Sequence, residues 1–495
     1  MTMSSIKPPI YLENPQLWRD QLFIDGQWLA ANNNATFSVF NPANNQAIAT
    51  VADAGVAEAA QAIAAATKAQ VQWAAQTGKA RSQVLRRWFD LVMGNQEDLA
   101  RILTLEQGRP IAEARAEIAY GASYIDWFAD EAKRIYGDVI GPADRQQRIL
   151  VVKEPVGVVA VITPWNFPSA MLARKLAPAL AAGCAVVAKP ASETPLSALA
   201  LAYLAQVAGV PAGVINIVCG TDSAAIGREF SDNFQVKKMS FTGSTAVGKQ
   251  LISQCAASVK KITLELGGNA PFIVFADADI AAAVQGALAA KFRNAGQTCV
   301  CANRFYIQRA IYPVFVEQFI AAVSQLRLGD SFAPETTTGP LISAKACEKV
   351  SRLVDDALEK GATLAYDSGL PNTNEFGGHY ASIKVLTHVA TNAALCTEEI
   401  FGPVAALIPF DTEEEVVALA NDSIYGLSAY FYTACAERRW RVAQQLEVGM
   451  VGINCGLISN EMAPFGGVKQ SGWGREGSKY GLEDYLNIKY LCESV

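Results

Sequence analysis

Apolar residues recur at three- and four-residue spacing from residue 55 to 107, in an Ala-rich stretch that predicts helices. From about residue 149 the period changes. Short β-branched runs appear at 149–152, 157–162 and 184–189, and helix-like stretches at 196–208 and 246–258. Strand-like runs at 214–218, 236–241 and 271–275 complete an alternating β/α pattern. Such alternation implies a parallel sheet with helices on both faces. A second β/α series runs from about 269 to 468, with helical 280–293 and 310–326 and strand-like 404–409. Residues 138–154 and 484–491 alternate weakly, as subunit-bridging strands or ordinary edge strands do. No tandem repeat or low-complexity tract interrupts the chain.

At 495 residues and 51% apolar content, the chain buries a large core and divides into two or three domains. The formal net charge is −6 and the basic residues are scattered, which argues against nucleic acid or an anionic membrane as partner. Residues 1–20 are polar and lack the apolar core of a signal peptide. The most apolar region, 171–187, carries Arg174, Lys175 and Pro178 and so does not read as a membrane span. Cys492 lies fourth from the end, but the Glu-Ser-Val after it is not the aliphatic tail of a prenylation site. The ten cysteines form no framework of spacings, the usage of reduced thiols in a cytoplasm. Only two histidines exist, His379 and His388, and no cysteine group has zinc-like spacing, so no metal site is expected. The chemistry must run on Cys, Glu, Asn, Lys and a bound cofactor.

Five segments carry candidate chemistry. Phe292-Arg-Asn-Ala-Gly-Gln-Thr-Cys299 ends in a cysteine within a polar, Gly-containing loop, where a thiolate can be exposed and tuned; the bland alternative is a small buried hydrophobe. Thr263-Leu-Glu-Leu-Gly-Gly-Asn269 sets Glu265 in an apolar run, where an acid is costly unless used or paired. Thr163-Pro-Trp-Asn-Phe-Pro168 follows a buried-type strand, and Asn166 presents an amide N–H or merely closes a rigid turn. Val187-Ala-Lys-Pro-Ala-Ser-Glu-Thr-Pro195 puts Lys189 at a strand's carboxyl end, where ligands sit in open α/β sheets. Ser240-Phe-Thr-Gly-Ser-Thr-Ala-Val-Gly248 reads as strand, turn and helix, suited to an anion at the helix N-terminus. Its glycines are spaced G-x-x-x-x-G, so the usual dinucleotide fingerprint is not strictly met.

Taken together, Asn166, Glu265 and Cys299 in these motifs resemble the catalytic set of the aldehyde dehydrogenases. The resemblance continues through Glu398-Glu-Ile-Phe-Gly-Pro403 and Pro464-Phe-Gly-Gly467, covering nearly the whole chain. It implies an α/β fold: a Rossmann-like cofactor domain (1–135 and 155–265), an α/β catalytic domain (266–470), and a small β extension for oligomerisation (136–154 and 477–495). It also implies Cys299 as nucleophile, the Asn166 amide and the Cys299 backbone N–H as oxyanion donors, and Glu265 as the base that hydrolyses a thioester. Family analogy further puts Lys189 on the adenosine ribose and Trp165, with Thr163 and Pro164, close by. The turn Gly243, Ser244 to Gly248 would meet the pyrophosphate, Glu399 the nicotinamide ribose and Phe401 the nicotinamide.

Three segments resemble the succinate-semialdehyde dehydrogenase subfamily: Lys291-Phe-Arg-Asn-Ala-Gly-Gln-Thr-Cys-Val-Cys-Ala-Asn303, Gly456-Leu-Ile-Ser-Asn-Glu461 and Gly474-Arg-Glu-Gly-Ser-Lys-Tyr480. That resemblance implies Arg174, Arg293 and Ser459 as ligands of a substrate carboxylate. Internal ion pairs are the alternative for both arginines, and their positions beside the Asn166 and Cys299 loops argue against it. The partner is then a small carboxylate-bearing aldehyde, with glutarate semialdehyde or a broader set of aldehydes as the rival. Many NAD-specific relatives carry Glu where this chain has Ser192, so NADP is expected to be preferred and NAD possible, with Glu193 next door opposing. A CoA-acylating relative would not need Glu265, and a cysteine hydrolase would not need the nucleotide segments. Cys301, one residue beyond Cys299, is a candidate redox partner for it. A homo-oligomer, dimer or tetramer, is expected.

Overall fold

The computed structural model describes residues 8–371 and 377–494. Residues 1–7, 372–376 and 495, which belong to the expected domain spans and to the polar N-terminal stretch, lie outside the described residues.

The first sheet has eight strands. Five run parallel, in the order Ile215–Ile217, Ala185–Lys189, Val158–Ile162, Val236–Thr242, Lys261–Glu265. Antiparallel strands extend both ends: Leu22–Ile24 with Gln27–Leu29 on one, Gly472–Trp473 on the other. Strands covered on both faces read as continuous apolar runs, which is why 157–162 and 184–189 are legible as strands. Strand order reverses between Val158–Ile162 and Val236–Thr242. The crevice at their carboxyl ends is where open α/β sheets bind ligands.

The helical stretch 55–107 resolves into Val56–Ala74, Gly78–Gly94 and Gln96–Gln107. The sequence pattern missed the next helix, Ile111–Glu131, and the hairpin Thr36–Asn41 with Gln46–Ala52. The apolar region 171–187 is a helix buried over its whole length, Pro168–Ala182, followed by a buried strand. Pro168 fills the first helical position, and Gly183 at φ 97° closes the helix in the left-handed region. The helix expected at 310–326 is Tyr312–Val323, its start set by Pro313 in the first turn.

The second sheet has seven strands, ordered Thr363–Asp367, Lys384–Thr387, Val404–Phe410, Ala302–Gln308, Ala270–Val274, Ser428–Tyr432, Met450–Ile453. Along Ala270–Val274, Phe272 and Val274 join one apolar cluster while Ile273 joins another, so this sheet too is covered on both faces. The weakly alternating segments form a separate three-stranded antiparallel sheet, Leu486–Ser494, Gln147–Pro155 and Asp138–Ile140. Its apolar residues stand in the open: Val139 is 82% exposed, Ile488 75% and Tyr490 60%.

Candidate active site

The carboxyl ends of the first sheet and the Cys299 loop face each other across a cavity of about 800 Å³. Pro164, Trp165, Asn166, Gly243, Ser244, Cys299, Glu399 and Phe401 all line it. Thr163, Lys189, Ser192 and Gly248 are not among the residues that line it. The Thr163 N–H donates to the Lys189 carbonyl (3.2 Å), Lys189 is buried, and the Ser192 hydroxyl donates to the Glu193 carboxylate (3.3 Å). Glu193 itself lines the cavity. The helix Thr245–Ala256 points its N-terminus at the cavity, capped by Ser244 Oγ, which accepts from the Val247 N–H. A Cβ on Gly243 would come within 2.4 Å of the Phe241 ring, so only glycine fits where the backbone turns past that ring at the cavity wall. Trp165 and Phe401 meet edge to face at 5.6 Å.

Three consecutive left-handed residues, Asn294 (φ 51°), Ala295 (φ 54°) and Gly296 (φ 77°), aim the Cys299 loop. Partners from distant segments hold this turn. Glu113 accepts from the Asn294 N–H (2.8 Å), the Gln297 side chain accepts from the Ile342 N–H (3.0 Å), and the Tyr430 hydroxyl donates to the Val300 carbonyl (2.8 Å). A Cβ on Gly268 would lie 2.3 Å from the Cys299 carbonyl oxygen, which fixes the Gly267-Gly268 pair against the loop. One Asn166 amide hydrogen is held by the Gln297 carbonyl (3.0 Å), leaving the other for the cavity.

Burial pushes the Cys299 thiol up to about 12; Arg174 opposes this, Glu399 and Glu265 add to it, and Arg293 opposes it. Glu265 is buried and its Oε2 has no hydrogen-bond partner among the described residues. Burial, with the Glu476 charge adding, raises its carboxyl well above the usual range against Arg174, Lys175 and Arg475. At Glu476 burial acts upward, but Arg174 and Lys175, which both pair with it, hold it below the usual value. Glu399 accepts from the Gly268 N–H (3.1 Å), and burial brings it to about 7.

Arg174 corrects the expectation drawn from its position. It sits in an internal ion pair with Glu476, because the buried helix Pro168–Ala182 turns that face toward the 465–476 segment, where its guanidinium also covers Phe465 at 4.3 Å. Its Nη1 reaches the Tyr120 hydroxyl (3.4 Å), and its Nη2 has no hydrogen-bond partner among the described residues. No ion pair of Arg293 is found among the described residues; its guanidinium lies 5.4 Å from the Phe167 ring and its Nε is unpartnered. A small second cavity joins Arg293 and Thr298 to Gly456, Leu457 and Ile458, the residues just before the half-buried Ser459. Cys301 is buried, and its Sγ donates to the Lys291 carbonyl (3.2 Å).

The sequence reading missed Lys175, Glu476, Arg109 and Glu117, all buried and charged. Lys345, Lys349 and Arg352, on one face of the helix Ala344–Glu359, were missed as well and bring basic groups to the cavity rim. Their signal was weak, because charges at helical spacing look like a solvated face. The pair Lys175 and Glu476 is separated by 301 residues of chain.

Residues 28–491 match the profile described as the aldehyde dehydrogenase family. A glutarate-semialdehyde dehydrogenase of Pseudomonas putida is 55% identical over 98% of this chain and 100% of its own. The NADP(+) succinate-semialdehyde dehydrogenase of Escherichia coli is 55% identical over 97% of this chain and 99% of its own. Among solved structures, betaine aldehyde dehydrogenase from Staphylococcus aureus in complex with NAD+ aligns with a TM-score of 0.94 at 36% identity, covering 96% of this chain and 95% of that one.

Proposed function

The chain belongs to the aldehyde dehydrogenase family, and we propose that it oxidises succinate semialdehyde to succinate in the cytoplasm, with NADP preferred and NAD possible. The observation that carries this reading is a half-buried thiol at one cavity wall, with Arg293, for which no ion pair is found among the described residues, in the small cavity behind Thr298 of the same loop. An arginine fork stays charged at any working pH and matches a carboxylate. Succinate semialdehyde offers one such group two methylenes from its reacting carbon. The names of the Escherichia coli and Pseudomonas putida relatives support a short carboxylate-tailed aldehyde. Glutarate semialdehyde remains the second reading, since one CH₂ discriminates by only ~1–3 kcal/mol.

In the mechanism we infer, Cys299 Sγ attacks the aldehyde carbon and gives up its proton through the open cavity to solvent water, because desolvation keeps the resting thiol protonated. The free Asn166 amide hydrogen and the Cys299 N–H take the oxyanion of the thiohemiacetal. Bound NAD(P) supplies the hydride acceptor. The residues suit it: the Gly243-Ser244 turn at the cavity wall, a helix N-terminus for pyrophosphate, and Glu399 held by the Gly268 N–H for ribose hydroxyls. Lys189, Ser192 and Glu193 would meet the adenosine end, and Phe401 with Trp165 the nicotinamide end. Collapse leaves a thioester on Cys299. Glu265, made a stronger base by burial, then takes a proton from the water that hydrolyses it. The three-domain division, an oligomer built on the small sheet, and reversible silencing of Cys299 by a disulfide to Cys301 belong to the same reading. Reversible peroxide inactivation that persists unchanged in Cys301→Ala would remove Cys301 from it.

Kinetics with succinate semialdehyde, glutarate semialdehyde and butanal, each with NADP and NAD, test the assignment. Succinate semialdehyde with NADP should give the highest kcat/KM, and Ser192→Glu should shift preference toward NAD. Hydrogen bonds to charged groups are worth ~1.5–3 kcal/mol, so Arg293→Ala should cost roughly ten- to a hundredfold on the acid aldehydes and spare butanal. Arg293 is the cleaner probe, because removing Arg174 also takes away one of the two buried cations that pair with Glu476. Equal parent rates on butanal would overturn the substrate assignment.

A further inference from the structure

Behind the Asn166 loop lies a buried charged hub that no step above uses. Arg109 follows the helix Gln96–Gln107 and is 2% exposed. Each end of its guanidinium has a partner. Nη1 pairs with Glu117 Oε2 (2.6 Å), Nε donates to Gln107 Oε1 (3.0 Å), and Nη2 donates to the backbone carbonyl of Asn166. Phe167 stacks beneath it at 4.3 Å. Gln107 in turn donates to Asn294 Oδ1 (3.0 Å), and Asn294 Nδ2 donates to the same Asn166 carbonyl (3.0 Å). Glu117 also accepts the N–H groups of Ser169 (3.0 Å) and Ala170 (3.1 Å), in the first turn of the helix that carries Arg174 and Lys175.

A buried cation is costly unless every donor is used. Here the donors go to one backbone carbonyl, one helix-capping carboxylate and one amide that reaches the Cys299 loop. The Asn166 peptide is thereby clamped from two sides, by Arg109 and Asn294, while its side chain stands at the cavity. We propose that Arg109 is a positioning residue for the oxyanion site: it fixes the Asn166 peptide, through it the free amide hydrogen, and through Gln107 and Asn294 the turn before Cys299. The proposal rests on the reading of Asn166 as an oxyanion donor. Lysine keeps the charge but lacks the planar fork, so it cannot hold three partners in one plane.

A double-mutant cycle on the full enzyme tests this, with acylation by p-nitrophenyl acetate without cofactor, followed as nitrophenolate release, and the burst of NADPH as the two readouts. Asn166→Ala should slow acylation by about 10²–10³-fold, the scale of losing one oxyanion donor. Arg109→Lys should slow both readouts by about ten- to a hundredfold in the parent, with the KM for succinate semialdehyde little changed, and should add nothing in the Asn166→Ala background. Asn294→Gly keeps the left-handed turn and removes the second clamp; it should show the same non-additivity and serves if Arg109→Lys does not fold. A loss from Arg109→Lys or Asn294→Gly that persists undiminished in the Asn166→Ala background would overturn the proposal. No loss from Asn166→Ala itself would instead sink the oxyanion reading on which it stands.

Discussion

At Cys299 the largest influence on the thiol is the loss of water, which drives its pKa to about 12 against the attraction of Arg174 and Arg293. The resting thiol is therefore mostly protonated near neutral pH. The sign follows: raising pH toward the shifted pKa increases the reactive form. Alkylation of the cofactor-free enzyme by iodoacetamide, followed by peptide mass spectrometry at Cys299, should therefore rise roughly tenfold per pH unit from about pH 7 to 10. A rate already flat at neutral pH would mean a preformed thiolate. Glu265 has a raised carboxyl pKa, so it is a competent base only above the usual carboxylate range, and thioester hydrolysis should fall as pH drops through that shifted value. Cys299 and Glu265 were legible in the sequence because each is an anomaly in its own segment, a thiol in a polar Gly loop and an acid in an apolar strand. Glu117 was not, because what it caps, the N–H groups of Ser169 and Ala170, lies 52 and 53 residues away.

Strands and turns do the aiming. The parallel strands were visible as β-branched runs, and the Asn166, Lys189, Gly243 and Glu265 motifs fall at their carboxyl ends for that reason. The helix Ile111–Glu131 was not visible: 111–131 mixes Ala with Glu, Arg and Asp, and its buried face is revealed only by the helices packed on it. The turn at 294–296 was visible only as a glycine. Gly296 sits at φ 77°, and a Cβ there would lie 2.2 Å from the Gly402 carbonyl oxygen. Gly296→Ala should thus cost at least about 2 kcal/mol from backbone strain and overpacking. A clear fall in Tm together with loss of activity is expected, while unchanged melting and kcat would show that the loop tolerates another path.

Among the described residues, the small three-stranded sheet is a surface that the protein's own packing does not explain. Leu486–Ser494 pairs with Gln147–Pro155 over nine residues, and the resulting sheet exposes Val139, Ile488 and Tyr490 far from the core. An open apolar sheet edge invites another chain. A second copy covering it would make the enzyme an oligomer. Light scattering should give a dimer or tetramer for the parent and a smaller species for Ile488→Lys, with the active-site cavity unaltered because it lies in other sheets. A parent that stays monomeric at high concentration would refute this use of the sheet.

The central claim is a thioester on Cys299 released by Glu265, and the acyl-enzyme itself is its most direct witness. Glu265→Gln enzyme mixed with succinate semialdehyde and NADP, quenched in acid and digested, should yield a burst of NADPH and the Cys299 peptide carrying one succinyl group. The parent should show that adduct only fleetingly. Full turnover in the Gln variant, or the succinyl group on any other residue, would contradict the account.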